Sequence, residues 1–308
     1  MVWIERRLPQ DDELFLDHVG WFVPDLDAAT AAMERLGFAV SPQNVHYNAD
    51  ADGNLVPAGT VNRLVTPELG YLEFLAASAD TPLADQLRAA LDRYAGLHLI
   101  AFGHANVPAV EERLAAAEVP LQPAVRLRRP LDTADGRQTA SFTVLRAAPG
   151  SMPLGRVQYC AHETPDLVWQ PGLTGHSNAV DALTDMLLVC ADLGEALRRY
   201  ERFTLRAAQD ERDGRAALLF DRGRLTFATA QGAERLLPDF AAQSLPFGAA
   251  VALRSADMEA TRAVLQRNGV RPARDAGDII IVGPEDGLGA WIVFHGTAIS
   301  SVWRHLER

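Results

Sequence analysis

Two side chains stand out because their neighbours are so apolar. His18 lies in Asp17-His18-Val19-Gly20-Trp21-Phe22-Val23, and Glu73 in Gly70-Tyr71-Leu72-Glu73-Phe74-Leu75-Ala76. An ionised carboxylate in such a run is costly to bury unless it is paired, hydrogen-bonded or bound to a cation. A neutral imidazole can act as an acid, a base or a metal ligand, although a lone strand histidine can equally be a satisfied interior group. The two residues therefore carry chemistry only if the fold brings their strands together. A later run, Gly155-Arg156-Val157-Gln158-Tyr159-Cys160-Ala161, aligns without a gap on the Glu73 run at an offset of 85 residues and places Gln158 where Glu73 stands.

The elements around these residues repeat. The apolar run at His18 gives way at Pro24-Asp25-Leu26-Asp27 to a 3.6-residue period that stops at Gly37, so a strand feeds an amphipathic helix. The pattern restarts at Leu97-His98-Leu99-Ile100-Ala101-Phe102, with a helix over 107–117. It returns at Leu183 to Leu193, with a helix ending near Arg202 and a closing strand over 222–228. The last copy begins at Phe247, has its helix over 257–268 and closes over 288–295. Room for two further short strands in each copy makes the unit βαβββ. One such unit cannot cover both faces of its sheet, so units must pair, with helices outside and a concave sheet face inside. The division expected is a first domain over 1–165, a connection over 166–182 containing proline, glycine and tryptophan, and a second domain over 183–308.

Composition narrows the classes of function. At 308 residues, 48% hydrophobic and 22% charged, the chain is ordinary globular protein with room for two cores. Its net charge of -11 argues against nucleic acid or an anionic membrane as partner. The opening stretch has no apolar core of signal-peptide length and no run is long enough to span a bilayer, so a cytoplasmic location is expected. Cys160 and Cys190 sit in apolar runs and read as buried, reduced thiols.

The Asp17-His18-Val19 start, the Pro24-Asp25-Leu26-Asp27 turn, Gly70-Tyr71-Leu72-Glu73, and the connection Pro165-Asp166-Leu167-Val168-Trp169 with His176-Ser177-Asn178 resemble the vicinal oxygen chelate superfamily, specifically bacterial glyoxalase-like proteins. The resemblance implies an α+β fold: four βαβββ modules paired into two domains like those of glyoxalase and the bleomycin-resistance proteins, with curved mixed sheets. It also implies a divalent metal ion, zinc, nickel, manganese or iron(II), held by one residue from the first and one from the last strand of each paired copy. Carried over residue by residue, the ligands are His18, Glu73 and Gln158, with either His98 or Leu99 at the remaining position. A one-residue register choice decides between those two, because strand side chains alternate faces.

In the last two copies the matching positions hold Asp185 and Ala250 against His18, and Thr226 and Ile292 against Glu73, so the site is expected in the first half alone. That lack of second-half ligands argues against ring-cleaving dioxygenase chemistry. The implied activity is a lyase or isomerase reaction on a small substrate bearing neighbouring oxygens, with Glu73 doubling as base. The alternative is a metal-free protein that sequesters a small molecule in the same concavity.

Trp21 and Tyr71, strand aromatics, are expected to line the cavity against a bound small molecule, and other residues have two readings each. Arg126 and Arg128 share a strand face, and could clamp a substrate carboxylate or stand on a solvated outer strand. His162 could rim the cavity or belong to an ordered linker, and His46, Tyr47 and Asn62 lie near the expected mouth or in a loop. A monomer suffices for such a fold, and a homodimer is compatible with it.

Overall fold

The protein is described from a computed structural model covering residues 3–49, 55–133, 136–211 and 213–306. Four β-α-β-β-β segments follow one another. The first comprises β1 (Phe15–Phe22), α1 (Leu26–Arg35), β2 (Asn44–Ala49), β3 (Leu55–Val65) and β4 (Tyr71–Ala77). Helix α2 (Pro82–Leu91) leads to β5 (Gly96–Gly103), α3 (Val107–Ala116), β6 (Val125–Thr133), β7 (Gly136–Arg146) and β8 (Arg156–His162). After the connection come β9 (Val180–Val189), α4 (Leu193–Thr204), β10 (Ala208–Glu211), β11 (Arg215–Leu219) and β12 (Arg224–Ala228). A short α5 (Ala230–Glu234) precedes β13 (Phe247–Ser255), α6 (Met258–Arg267), β14 (Arg274–Ala276), β15 (Ile279–Val282) and β16 (Trp291–His295), and α7 (Val302–His305) ends the described chain.

Every module starts its helix the same way. Asp25, Asn106, Asp192 and Asp257 are the N-caps of α1, α3, α4 and α6, each accepting from one or two backbone amides of the first turn. Such a cap satisfies donors the helix leaves open and is worth about 1 kcal/mol. This is the physical content of the repeated Asp turn in the sequence. Gly37, at φ 91°, takes the left-handed conformation that ends α1.

The first and last strands of each module pair in parallel, β1 with β4, β5 with β8, β9 with β12 and β13 with β16. Modules join through antiparallel β1–β5 and β9–β13 pairing. A bridge between Gly248 and Leu97 links the two halves, so all sixteen strands form one large, curved, mixed sheet. The closeness of that link requires glycine, because a Cβ on Gly248 would lie 2.5 Å from that of Leu97. This is the α+β architecture expected for the glyoxalase type.

The parallel registers align the modules without ambiguity. Gly20 faces Glu73, Ala101 faces Gln158, Leu187 faces Thr226 and Ala252 faces Val293. Two positions follow. Leu99, not His98, stands at the His18 position of the second module, and Val293, not Ile292, at the Glu73 position of the fourth; each one-residue difference moves a side chain to the other sheet face.

Candidate active site

The concave face of the first half encloses a cavity of about 270 Å³. Strands β1 to β8 supply its walls, and Leu167, Val168, Gln170 and Leu173 of the connection form its rim. His18 and Glu73 both line it, together with Gln158, Tyr71, His46 and Asn62.

Glu73 is 6% exposed and sits between two imidazoles: its Oε2 is 3.9 Å from His18 Nε2 and its Oε1 4.0 Å from His46 Nε2. Asn62 donates to Oε1 through Nδ2. No arginine is within ion-pair distance of Glu73 among the described residues, so the carboxylate is not neutralised in the simplest way a buried acid can be. Each histidine is oriented by a bond at its other nitrogen. His18 Nδ1 is 2.7 Å from Asp17 Oδ2, and His46 Nδ1 is 2.9 Å from Thr60 Oγ1. A carboxylate behind an imidazole fixes the ring and directs the opposite nitrogen at whatever lies in front. Tyr71 stacks on His18 with ring centres 4.2 Å apart and holds it from the side.

Four polar atoms of the cavity lining are buried without any hydrogen-bond partner, His46 Nε2, Asn62 Oδ1, Arg129 Nη1 and Gln158 Oε1. Buried polar groups are nearly always satisfied, so such orphans call for a missing partner. Burial, reinforced by the positive charges of Arg129 and Arg156, holds the pKa of His46 well below its ordinary value and keeps the ring neutral, as a ligand must be. The separations about Glu73 are less than twice a metal–ligand bond of roughly 2.1 Å, so one cation fits between the carboxylate and either ring.

Behind His18 lies a second cluster. Asp17 is fully buried and also bonds His162 Nε2 at 2.9 Å. Ligand atoms of Asp17, Cys160 and His162 all lie within 4.8 Å of one another, a group that could hold a metal. The pair is strongly ionised despite its burial: Asp17 and His162 stabilise each other's charge, lowering the acid's pKa and raising that of His162 to about 10. Without a metal the Asp17–His162 ion pair satisfies this cluster, and toward the cavity Asp17 anchors His18.

The remaining expectations separate cleanly. His98 lies outside the cavity, its ring between Phe22 and Tyr94 at 5.0 and 3.9 Å and its Nε2 2.8 Å from the Tyr94 carbonyl oxygen. It is therefore removed from the ligand set, and Leu99 lines the wall instead. Trp21 faces the opposite side of β1 from His18, stacks on Phe74 and donates to the Gly287 carbonyl, so it is core. Arg126 and Arg128 point away from the cavity: Arg126 pairs with Glu163 and Arg128 is exposed. Alternation along β6 turns Leu127, Arg129 and Leu131 inward in their place. His162 stands behind the wall, packed on Trp169 and Tyr71. Nothing in the sequence marks Asp17 or Arg156 as functional, or pairs His46 with Glu73.

Residues 16–204 match the model of a family described as the glyoxalase-like domain. The chain belongs to the glyoxalase-like domain family. No curated protein matches it in sequence. Among solved structures, this glyoxalase-like protein is similar to a hypothetical protein from Staphylococcus aureus, with TM-score 0.64, 11% identity and coverage of 92% of this chain and 99% of that one. It is also similar to a triple mutant of 4-hydroxymandelate synthase from Streptomyces coelicolor, with TM-score 0.58, 14% identity and 96% of both chains covered. A xylose isomerase-like TIM barrel/4-hydroxyphenylpyruvate dioxygenase fusion protein matches at TM-score 0.58 and 12% identity, over 93% of this chain and 50% of that one. At such identities the likeness is one of fold. No helix among the described residues is long and apolar enough to cross a membrane.

Proposed function

We propose that this glyoxalase-like protein is a divalent-metal-dependent lyase or isomerase acting on a small substrate with neighbouring oxygens, and that its site is the cavity of the first half. The observation that carries the reading is a set of groups lining one cavity: His18 Nε2 and His46 Nε2, each within 4.0 Å of the Glu73 carboxylate, and Gln158 Oε1, buried with no partner. Two imidazoles and one carboxylate, with a neutral amide oxygen, suit zinc, nickel, manganese or iron(II). A bound cation of this kind supplies charge stabilisation to two oxygens of a substrate as a proton leaves the adjacent carbon.

The chain's own residues do the rest. Glu73 is the only carboxylate lining the cavity among the described residues, and so the group that accepts the proton, at Oε2. Asn62 holds the other oxygen, which keeps the carboxylate plane fixed while Oε2 works. Asp17 keeps the His18 proton on Nδ1 and its lone pair on Nε2, and the buried Asp17–His162 ion pair locks that arrangement. Tyr71 and the rim exclude water from the reacting atoms.

A second reading, sequestration without reaction, is favoured by one observation. The positions that complete a four-ligand set in the second module hold Leu99 and the uncharged Gln158. The experiment that separates the two is proton exchange in heavy water, followed by NMR, on hemithioacetals and 2-hydroxycarbonyl compounds. Exchange at the carbon next to the carbonyl that depends on added metal and is lost in Glu73→Gln supports the enzyme. Binding of these compounds without exchange, under every metal tried, supports sequestration.

A further inference from the structure

The cavity has a charge that its proposed chemistry does not use. Four guanidiniums line it, Arg129, Arg137, Arg146 and Arg156, against the single carboxylate of Glu73. This excess of positive charge lies inside a protein whose net charge is -11. Arg129, Arg146 and Arg156 make no ion pair with a carboxylate among the described residues. Arg129 Nη1 is buried with no hydrogen-bond partner, and its guanidinium rests 5.8 Å from the Phe142 ring centre. Arg156 lies over Phe22 at 5.5 Å. The three cations oppose one another, and burial with this mutual repulsion pulls the pKa of Arg156 down to about 10 and lowers that of Arg146.

Their placement follows from the strands. Arg156 and Gln158 are two apart on β8 and share its inner face, and Arg146 pairs directly across from Gln158 on β7. Arg129 faces inward from β6, opposite Ala140, whose small side chain leaves its head free of the neighbouring strand. Glu73 is the one carboxylate that offsets these charges and it pairs directly with none of them, so guanidiniums in excess in a partly dry cavity are held at a cost that an oxyanion removes, through bidentate charge-assisted hydrogen bonds. The same wall carries Tyr71, Leu75, Leu99, Phe142 and Val144, an apolar lining for the remainder of a ligand.

We propose that the ligand of this cavity is a small organic oxyanion, a carboxylate or phosphate ester with an apolar body, bound by Arg129, Arg146 and Arg156. The assignment deepens the proposed function by naming the substrate class; it rests on that reading only in taking this cavity as the site, and it does not require the metal. Repulsion of neutral competitors is not needed, because the neutral form leaves the guanidiniums unpaired and so binds less well.

The test is calorimetric titration of the full chain, freed of metal by chelation, with phenylacetate, phenyl phosphate and the neutral phenylacetamide. The expected result is that at least one anion binds, that the amide binds about tenfold or more weakly, and that added salt weakens the anion but not the amide. Preference between the two anions assigns the carboxylate or the phosphate. Arg146→Gln and Arg156→Gln each weaken the anion by about tenfold or more, while Arg128→Gln, on the outer face of β6, leaves it unchanged. If the arginine variants do not fold, the amide comparison and the salt dependence of the natural chain decide alone. Equal binding of amide and anions, or no anion binding, overturns the proposal even where metal is present. Anion binding in a protein that takes up no metal upholds it and removes the metal reading instead.

Discussion

The first-half cup and its second-half counterpart share a backbone register, yet one is hollow and polar and the other is filled. Position for position, His18 and Glu73 of β1 and β4 correspond to Asp185 and Thr226 of β9 and β12. In the second half these side chains satisfy each other, Thr226 Oγ1 donating to Asp185 at 3.0 Å, with Arg224 alongside at 3.7 Å. The concavity above them is occupied by Leu236, Leu237, Ile299, Trp303 and Leu306, packed on Leu187, Ala250, Ala252 and Val293. In the first half no helix among the described residues plugs the cup; His18 and Glu73 face each other at 3.9 Å, and Gln158 Oε1 has no partner. The same fold thus gives a packed core where the chain supplies its own filling, and a site where it withholds it.

The largest effect that this contrast predicts is in the filled cup. Trp303→Ala opens a void where the first half has its cavity, costing about 3–5 kcal/mol of stability, measured by denaturant unfolding. Metal uptake by the first half is expected to stay intact. If Trp303→Ala abolishes metal uptake without unfolding the protein, the two cups are not independent.

Next is the exchange of matching residues. Glu73→Gln is expected to cut metal affinity by about 100-fold or more, read by competition with a chromogenic chelator. Thr226→Val, at the equivalent position, leaves metal affinity unchanged and costs about 1–3 kcal/mol by removing a hydrogen bond from buried Asp185.

A smaller effect concerns His98, His176 and His295, all held by burial near pKa 4. Each is neutral when folded and takes up a proton on unfolding between about pH 6.5 and 4. Their contribution is fully present above that window and is lost as pH falls through it, so the melting temperature declines from neutral pH toward pH 4. His98→Phe keeps the ring stack, takes up about one proton fewer on unfolding near pH 5, and leaves metal content unaltered. A loss of metal in this variant would return His98 to the ligand set.

The smallest is Arg126→Gln. It removes an exposed ion pair with Glu163, changes stability by less than about 1 kcal/mol, and leaves anion binding to the inner arginines as it was.

How much of this could be read beforehand depended on periodicity. The module helices α1, α3, α4 and α6 were legible because an Asx cap and a 3.6-residue period mark each one, and the modules because those marks recur. His18, Glu73 and Gln158 were legible because polar groups in apolar strands are costly. The choice between His98 and Leu99 was not, since it turns on a single residue of register that only strand pairing fixes, β1 being bulged against β5. Arg126 and Arg128 were correctly placed on one face of β6, but period two cannot say which face looks inward. His46 looks like a loop residue until β3 and β4 bring Asn62 and Glu73 beside it. Asp17 was hidden by adjacency: strand neighbours ordinarily face opposite sides, but the bulge of β1 between Leu16 and His18 lets Asp17 reach the imidazoles of both His18 and His162.

What separates the hollow cup from the filled one, on the proposed reading, is a metal held by residues that the filled cup lacks. Elemental mass spectrometry of the purified chain, after reconstitution with zinc, nickel, manganese or iron(II), tests it most directly when run beside His46→Ala and His18→Ala/Glu73→Gln. The expected result is close to one metal per chain, with most lost in His46→Ala and all in the double variant. No metal in the natural chain with any of the four, or full occupancy in the double variant, would contradict it.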